Sequence, residues 1–400
     1  MEIFEVGPCK SSYQMGYQIG EKFSSIIKSR LANDLILQTQ LRPFSTSHLG
    51  KQLLDSLSDN NRNRFSFYWD ELVGIAEGSN VPVLDIILIN FRKEILAFIP
   101  KNESINIPED TPDDCSDVLV VSNSMAVAAH NEDANVALVG HTYLIKAKFG
   151  NGHSFTAYTY AGELPSCAFG FNSHGLAFTL NSVPPRQDEI VAGGIGRNFI
   201  SRDLLEAANI GDALEKIRSS EVSVGHSYNL IDITTRKILN VETASSNRLS
   251  IYEINATPFF HANMYLHLQV AQIQDENSKG RQERAASLPK ETKEDFLSLL
   301  GDIDDKRYPI HMTGKLRVSF GFMITLSLTS LILSNFQVQY CTHCAQPYSI
   351  LMDQHYQSLR GTQKKEMLLI YFICTRRSYR CPGLLSAIIP PIQIKSQSGS

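Results

Sequence analysis

The hydrophobic period changes once along this chain, and that change limits the fold more than any other feature. Before residue 100 the apolar residues recur at helical spacing. Tyr13, Met15, Ile19 and Phe23, continued by Ile26 and Ile27, mark one face over 11–31, and Phe65, Phe67, Trp69, Leu72 and Ile75 mark another over 62–77. A third helix is expected over 82–98. Gly16 and Gly20 lie four apart on one face of the first helix, which predicts close packing against a neighbour. After residue 115 short apolar, β-branched or aromatic runs are divided by turn residues, the signature of hairpins. Strands over 142–149 and 153–161 flank Gly150-Asn151-Gly152, and strands over 166–171 and 176–183 flank Asn172-Ser173-His174-Gly175. Helices return over 197–208 and over 211–218, the second behind a Gly211-Asp212 cap. Strands resume over 228–233, 238–243 and 249–254, and 271–307 reads as partly helical. Helices before and within a run of hairpins predict layers of helix packed on antiparallel sheet.

Cys115 stands where the period changes. Upstream the chain is a loop, with Pro108, Pro112, Asp113 and Asp114; downstream Val118 to Val121 are all apolar. A cysteine at that junction is expected to be exposed rather than packed, although free cysteines are commonly small buried hydrophobes. Seven cysteines in 400 residues, odd in number and scattered, argue against a disulfide framework. A net charge of −4 offers no basic surface for nucleic acid. The first residues lack a basic segment followed by an apolar run, so no secretory leader is expected and the setting is intracellular, by default cytoplasmic.

Four features align with Cys115. Asn131-Glu132-Asp133 follows the apolar run 125–129, with Asp133 eighteen residues after Cys115. Asn181 ends the strand after the Asn172–Gly175 turn. RNFISRDLL (197–205) opens a helix, where Arg202 reads as a helix-surface or structural ion-pair residue. His261-Ala262-Asn263 closes the strand-rich half. An Asn or Asp at a strand end is also a common turn former. His130, His174 and His261 are the partners a Cys–His protease would need, but their surroundings read as turns and strands.

With these features in order, the sequence resembles the acyl-coenzyme A:6-aminopenicillanic acid acyltransferase family of self-processing N-terminal-nucleophile hydrolases. The resemblance is carried by YQMGYQIGEKF (13–23), ELVGIAEGSNV (71–81), LINFRKEI (88–95), DDCS (113–116), the NED turn (131–133), GFNSHGLAFTLNSV (170–183), SRDLLEAANIGDALEKI (201–217), SYNLIDI (227–233) with NVETAS (240–245), and FFHANMYL (259–266). It runs from about residue 7 to about residue 310. The chain departs from the family pattern at Glu132, where many members have an aromatic residue, and at Met264, where many have a histidine.

The resemblance implies an α+β fold, a four-layer αββα sandwich, and a chain that cuts itself between Asp114 and Cys115. Cys115 would then be an N-terminal nucleophile. Its freed α-amino group, with an ordinary pKa of about 7.7–8.0, could act as the general base on the same residue. The resemblance implies that Asp133 orients that amino group, that Asn263 binds the oxyanion, and that Asn181 is an oxyanion or substrate-binding amide. The expected activity is hydrolysis of small amides, or acyl transfer, with no cofactor and with acyl-CoA conceivable as a substrate. The partners expected are a small amide or acyl substrate and the two cleaved fragments of the chain itself, which stay associated.

The expected divisions are a helical part over 1–114, a catalytic core over 115–312 and a divergent tail over 313–400 that shows no strand period and contributes nothing to the site. Residues 318–333 carry no charge but are short for a membrane span and contain several Ser and Thr. Cys341-Thr342-His343-Cys344, with Cys374 and Cys381, has the wrong spacing for a zinc ribbon, so no metal site is expected. Two other readings stand beside the enzyme: an inactive or structural relative impaired by its altered C-terminus, and a form tethered to a membrane through 318–333.

Overall fold

A computed structural model describes residues 2–100, 115–311, 313–314, 317–327, 336–339, 367–374 and 386–389, with the backbone alone described at 134–136 and beyond 311. The first part holds β1 (Glu2–Cys9), α1 (Ser12–Lys22), α2 (Ser24–Asn33), α3 (Arg42–Thr46), α4 (His48–Arg64), α5 (Ser66–Ser79), α6 (Val83–Asn90) and α7 (Arg92–Leu96). The Ser11 side chain caps α1 by accepting from the Gln14 N–H. The paired glycines do what their spacing predicts. A Cβ on Gly16 would stand 2.1 Å from the Glu71 carbonyl oxygen, and one on Gly74 would stand 2.3 Å from that of Tyr13. The backbones of α1 and α5 therefore touch, which only glycine permits. The helix expected over 62–77 begins instead at Ser66, because Phe65 ends α4 and interrupts the run. A strand, β1, precedes the helices and was not legible in the sequence.

The second part holds β2 (Ser116–Val121), β3 (Ala126–Asn135), β4 (Thr142–Phe149), β5 (Ser154–Tyr160), β6 (Phe169–Asn172), β7 (Leu176–Ser182), α8 (Arg197–Leu204), α9 (Ile210–Arg218), β8 (His226–Asp232), β9 (Lys237–Ala244), β10 (Arg248–Glu253), β11 (Phe259–His261), α10 (Glu276–Ser287) and α11 (Lys293–Leu300). Both hairpin turns form where Gly152 and Gly175 supply positive φ. The cap of α9 is Asn209, whose side chain accepts from the Asp212 N–H, rather than Gly211-Asp212.

An eight-stranded sheet runs β1-β4-β5-β6-β7-β8-β9-β10, antiparallel except that β1 lies parallel to β4. A second sheet contains β11, β2 and β3 and continues past residue 312. Beside β3 lies β13 (Arg317–Ser327), paired in antiparallel register from Arg317 opposite Asn135 to Leu326 opposite Ala126, with the two-residue β12 (Thr313–Gly314) at its side. Part of the segment expected to be a separate tail without strand period is thus an inner strand of this sheet. The charge-free run that raised a membrane helix begins as this strand. Among the described residues no helix is long and apolar enough to cross a membrane. Residues 341–344 and Cys381 lie outside the described residues.

The core residues establish the layers. Phe155, Phe178, Leu180, Tyr228, Leu230 and Val241 of the large sheet pack with Ile19, Phe23, Leu72, Ile75 and Phe199 of the helices on its outer face. Leu119, Ala126 and Ala128 of the second sheet pack with Ala177, Ile231 and Ile238 of the first, so the sheets lie face to face. Val118, Val120, Val127 and Ala129 point the other way, onto Ala285, Phe296, Leu299 and Leu300 of α10 and α11. The order helix, sheet, sheet, helix is a four-layer αββα sandwich.

Candidate active site

Alternation along a strand decides what meets Cys115. In β3, Ala126 and Ala128 face the space between the sheets, while Val127 and Ala129 face the helices. Continuing the period of two, His130 and Glu132 enter the space between the sheets, and Asn131 and Asp133 turn to the helix side. Asn131 confirms this parity by donating to the Leu300 carbonyl at the end of α11. In β2 the parity puts Asp117 and Leu119 between the sheets. Antiparallel register pairs Asp117 with His130 and with His261 of β11.

The result is a buried chain of polar groups. The Cys115 thiol donates to Glu132 Oε2 at 3.1 Å. His130 Nε2 meets that same oxygen at 3.0 Å, and its Nδ1 meets Asp117 Oδ1 at 2.9 Å. The Tyr160 hydroxyl donates to Glu132 Oε1 through a short bond. Asp117 also accepts from Thr179 Oγ1 at 2.8 Å, and Asn229 Nδ2 donates to Thr179 in turn. Burial disfavours a charged His130, but the carboxylates of Asp117 and Glu132 on either side outweigh it and push its pKa up to about 9. At neutral pH the imidazole is therefore a cation clamped between two acids.

Cys115 itself is 2% exposed, against the expectation of an exposed loop cysteine. The strand begins one residue later, and the facing sheet covers the thiol. Its carbonyl is anchored from the far side. Arg281 of α10 donates from Nη1 to the Cys115 carbonyl at 2.7 Å and to Ser116 Oγ at 2.9 Å, and from Nη2 to Asn263 Oδ1 at 2.9 Å. Ser278, Arg281 and Ala285 form the buried face of α10, so the guanidinium is delivered by the helix's inward stripe. One buried cation thus ties Asn263 to the backbone of Cys115.

The expected site residues are distributed unevenly. Asn263 is brought to Cys115 through Arg281, and its Nδ2 donates to the Ser182 carbonyl at 2.9 Å. Asn181 lies on the inner face of β7, but its Nδ2 is directed at His261, with the ring Nδ1 and the backbone carbonyl each at 3.3 Å. His261 Nε2 is held by Glu242 Oε1 at 3.1 Å. Asp133 is buried, on the opposite face of β3 from Glu132, whose carboxylate is the one that meets the thiol. Arg202 is wholly buried rather than on a helix surface; it pairs with Glu71 at 3.0 Å and with Glu206 at 2.8 Å, as an internal ion pair.

Sequence reasoning weighed His130 only as a protease partner and Glu132 only as a departure from the family pattern, and did not single out Arg281. The alternating His130-Asn131-Glu132-Asp133 run carried a usable signal, because residues two apart must share a face. The thiol of Cys115 and donor atoms of His130 and Glu132 lie within 4.8 Å of one another, a spacing that could serve a cation. Protonated His130 has no lone pair to give, and Glu132 Oε2 already accepts from both neighbours. The cluster is therefore a hydrogen-bonded chain running from the thiol through Glu132 and His130 to Asp117.

Comparison with known proteins places the chain in a family. The family model described as acyl-coenzyme A:6-aminopenicillanic acid acyl-transferase matches residues 121–337, more than half of the chain. The match continues past residue 310, the end expected for the resemblance, and takes in β13. A beta-alanyl-dopamine/carcinine hydrolase of Drosophila melanogaster is 25% identical over 321 residues, covering 74% of this chain and 82% of that protein. Among solved structures, a Caenorhabditis elegans N-acylethanolamine-hydrolyzing acid amidase ortholog aligns with 52% of this chain and 92% of its own, at 15% identity and a TM-score of 0.37. Penicillin V acylase from Agrobacterium tumefaciens aligns with 54% of this chain and 83% of its own, at 13% identity and a TM-score of 0.31. The profile match across β3, β7, β11 and β13 identifies the chain as a member of the acyl-coenzyme A:6-aminopenicillanic acid acyl-transferase family.

Proposed function

We propose that this chain cuts itself between Asp114 and Cys115 and then acts, through the N-terminal cysteine so formed, as a hydrolase or acyltransferase of small amide or acyl substrates. The observation that carries the reading is the setting of Cys115. It stands directly after the bond to be cut and immediately before β2, its thiol rests on a carboxylate, and its backbone is anchored by the cation that holds Asn263. In turnover the free α-amine takes the thiol proton, and the thiolate attacks the substrate carbonyl to give an acyl-enzyme thioester. Water or an amine then accepts the acyl group.

Asn263 is the favoured oxyanion donor. An amide NH2 has two hydrogens, and the contact with Ser182 uses one of them. Asn181 is the second candidate, with His261 drawing on its amide. Asp133 is assigned the orientation of the new amino group from the opposite face of β3. A cleft lined in part by Arg30, Asp34, Arg92, Tyr160 and Arg197 includes, in Tyr160, a residue bonded to Glu132. The two fragments stay together because β1 is a strand of the large sheet and α1–α7 share its core. No cofactor enters this scheme, and acyl-CoA enters it only as an acyl donor. Given the Drosophila melanogaster relative, β-alanyl amides of aromatic amines are the first substrates to assay.

The test is a denaturing gel of purified protein with N-terminal sequencing. The 44.7 kDa chain should give two fragments, one beginning at Cys115, and Cys115→Ala should leave a single chain. Active protein recovered only at full length would refute the reading.

A further inference from the structure

We infer that Glu132 is the base that removes the Cys115 thiol proton in the uncut chain, the step for which no α-amine yet exists. This deepens the self-processing reading and rests on it. Before cleavage the nitrogen of Cys115 is an amide, whose lone pair is delocalised into the carbonyl and is not basic. The base that serves turnover is therefore missing from the reaction that creates it. Some other group must accept the proton, and among the described residues Glu132 Oε2 is in place for it, 3.1 Å from Sγ in the intact chain.

The surroundings of Glu132 suit that task. Its carboxylate is met by Cys115 from the start of β2, by His130 two residues before it in β3 and by Tyr160 from the end of β5. Asp117 stands beyond His130. Cys167 is near enough for the Glu132 charge to help raise its thiol, behind burial and Glu163. The His130 cation offsets the negative charge that the site holds throughout the step, and the Tyr160 hydroxyl fixes the second carboxylate oxygen so that Oε2 stays aimed at sulfur.

The chemistry balances without an outside reagent except water. The Sγ–H proton passes to Glu132 Oε2. The thiolate bonds to the carbonyl carbon of Asp114, and the carbon–nitrogen bond to Cys115 breaks as Glu132 returns the proton to the leaving nitrogen. The product is a thioester with a free α-amine. Water then adds its hydroxyl to the acyl carbon and its hydrogen to sulfur, which leaves a thiol on Cys115 and an α-carboxylic acid on Asp114 that gives its proton to solvent.

The experiment measures self-cleavage of full-length protein freshly made by cell-free translation, by gel densitometry between pH 6.5 and 8.5. Positioned general bases contribute about 10²–10⁴-fold, so Glu132→Gln should cut at least about a hundredfold more slowly at pH 7. Its rate should also climb about tenfold per pH unit as hydroxide ionises a thiol of pKa about 8.5 unaided. The wild type should be nearly flat over that range. Thermal melting of Glu132→Gln beside uncut Cys115→Ala checks that it folds. If it does not, the wild-type profile decides: a flat rate supports the base, and a tenfold rise per unit overturns it. Glu132→Gln cutting within about threefold of wild type overturns the base role while leaving self-processing intact. A wild-type chain that never cuts overturns self-processing, and this inference with it.

Discussion

Arg281 is the residue whose removal should do the most damage from the greatest distance. It sits 166 positions from Cys115 in sequence and contacts its carbonyl directly. Replacing it with Met keeps much of the buried stem and deletes the guanidinium. The acceptors that then lose a charged donor include the Cys115 carbonyl at 2.7 Å, Ser116 Oγ and Asn263 Oδ1 at 2.9 Å, and Asn277 Oδ1 and Ser278 Oγ on α10 itself. A buried acceptor left unsatisfied costs about 1–3 kcal/mol. For the carbonyl and the amide oxygen together that is roughly 2–6 kcal/mol, a large part of the 5–15 kcal/mol that holds a domain folded. Asn263 also loses the contact that fixes its amide plane, so turnover should fall beyond what lost folded protein explains. Arg281→Lys keeps the charge but not the fork that reaches Cys115 and Asn263 at once, and should recover stability better than rate. The assay pairs a urea unfolding curve on the uncut Cys115→Ala background with self-cleavage and amide turnover in the otherwise wild-type chain. If Arg281→Met unfolds within about 1 kcal/mol of its parent and cuts at the wild-type rate, the anchoring role is wrong.

Asn263→Ala should lower turnover by roughly a hundredfold or more, the range for losing one oxyanion donor, while a thiol-alkylating probe still labels Cys115; unchanged turnover alongside a dead Asn181→Ala would reverse the assignment of the two amides. The folded-state pKa of His130, about 9, lies above its ordinary 6.5, so the stability it contributes is complete below pH 6.5 and lost as pH rises through 9. Urea midpoints of Cys115→Ala should therefore decline over that window, by on the order of 3 kcal/mol, and adding His130→Gln should flatten the decline; equal slopes in both proteins would sink the idea. Truncation after residue 312 removes β13 and leaves β3 unpaired along the edge opposite β2. The shortened protein should aggregate and fail to self-cleave, and a soluble truncation that cuts at the full-length rate would show that β13 is dispensable.

Short-range chemistry was legible in the sequence. Gly150-Asn151-Gly152 and the turn ending at Gly175 place their hairpins because the required positive φ is a property of a few adjacent residues. The helical stripe with Gly16 and Gly20 predicts a close helix contact because spacing alone puts both on one face. The order of motifs around Cys115 pointed to the family, and the profile match over 121–337 bears that out. Tertiary structure decided the rest. Whether Glu132 or Asp133 meets the thiol is a matter of strand parity, and parity acquires meaning only when one face of β3 is packed on a second sheet and the other on α11. Arg281 reads as an ordinary helix arginine until α10 is laid across the start of β2. The β1–β4 and β3–β13 pairings join segments far apart in sequence with no shared turn to announce them. Periodicity and turn residues carry information over a few positions, whereas the pairing of distant strands is chosen by which surfaces can be buried together, a quantity that exists only in the folded chain.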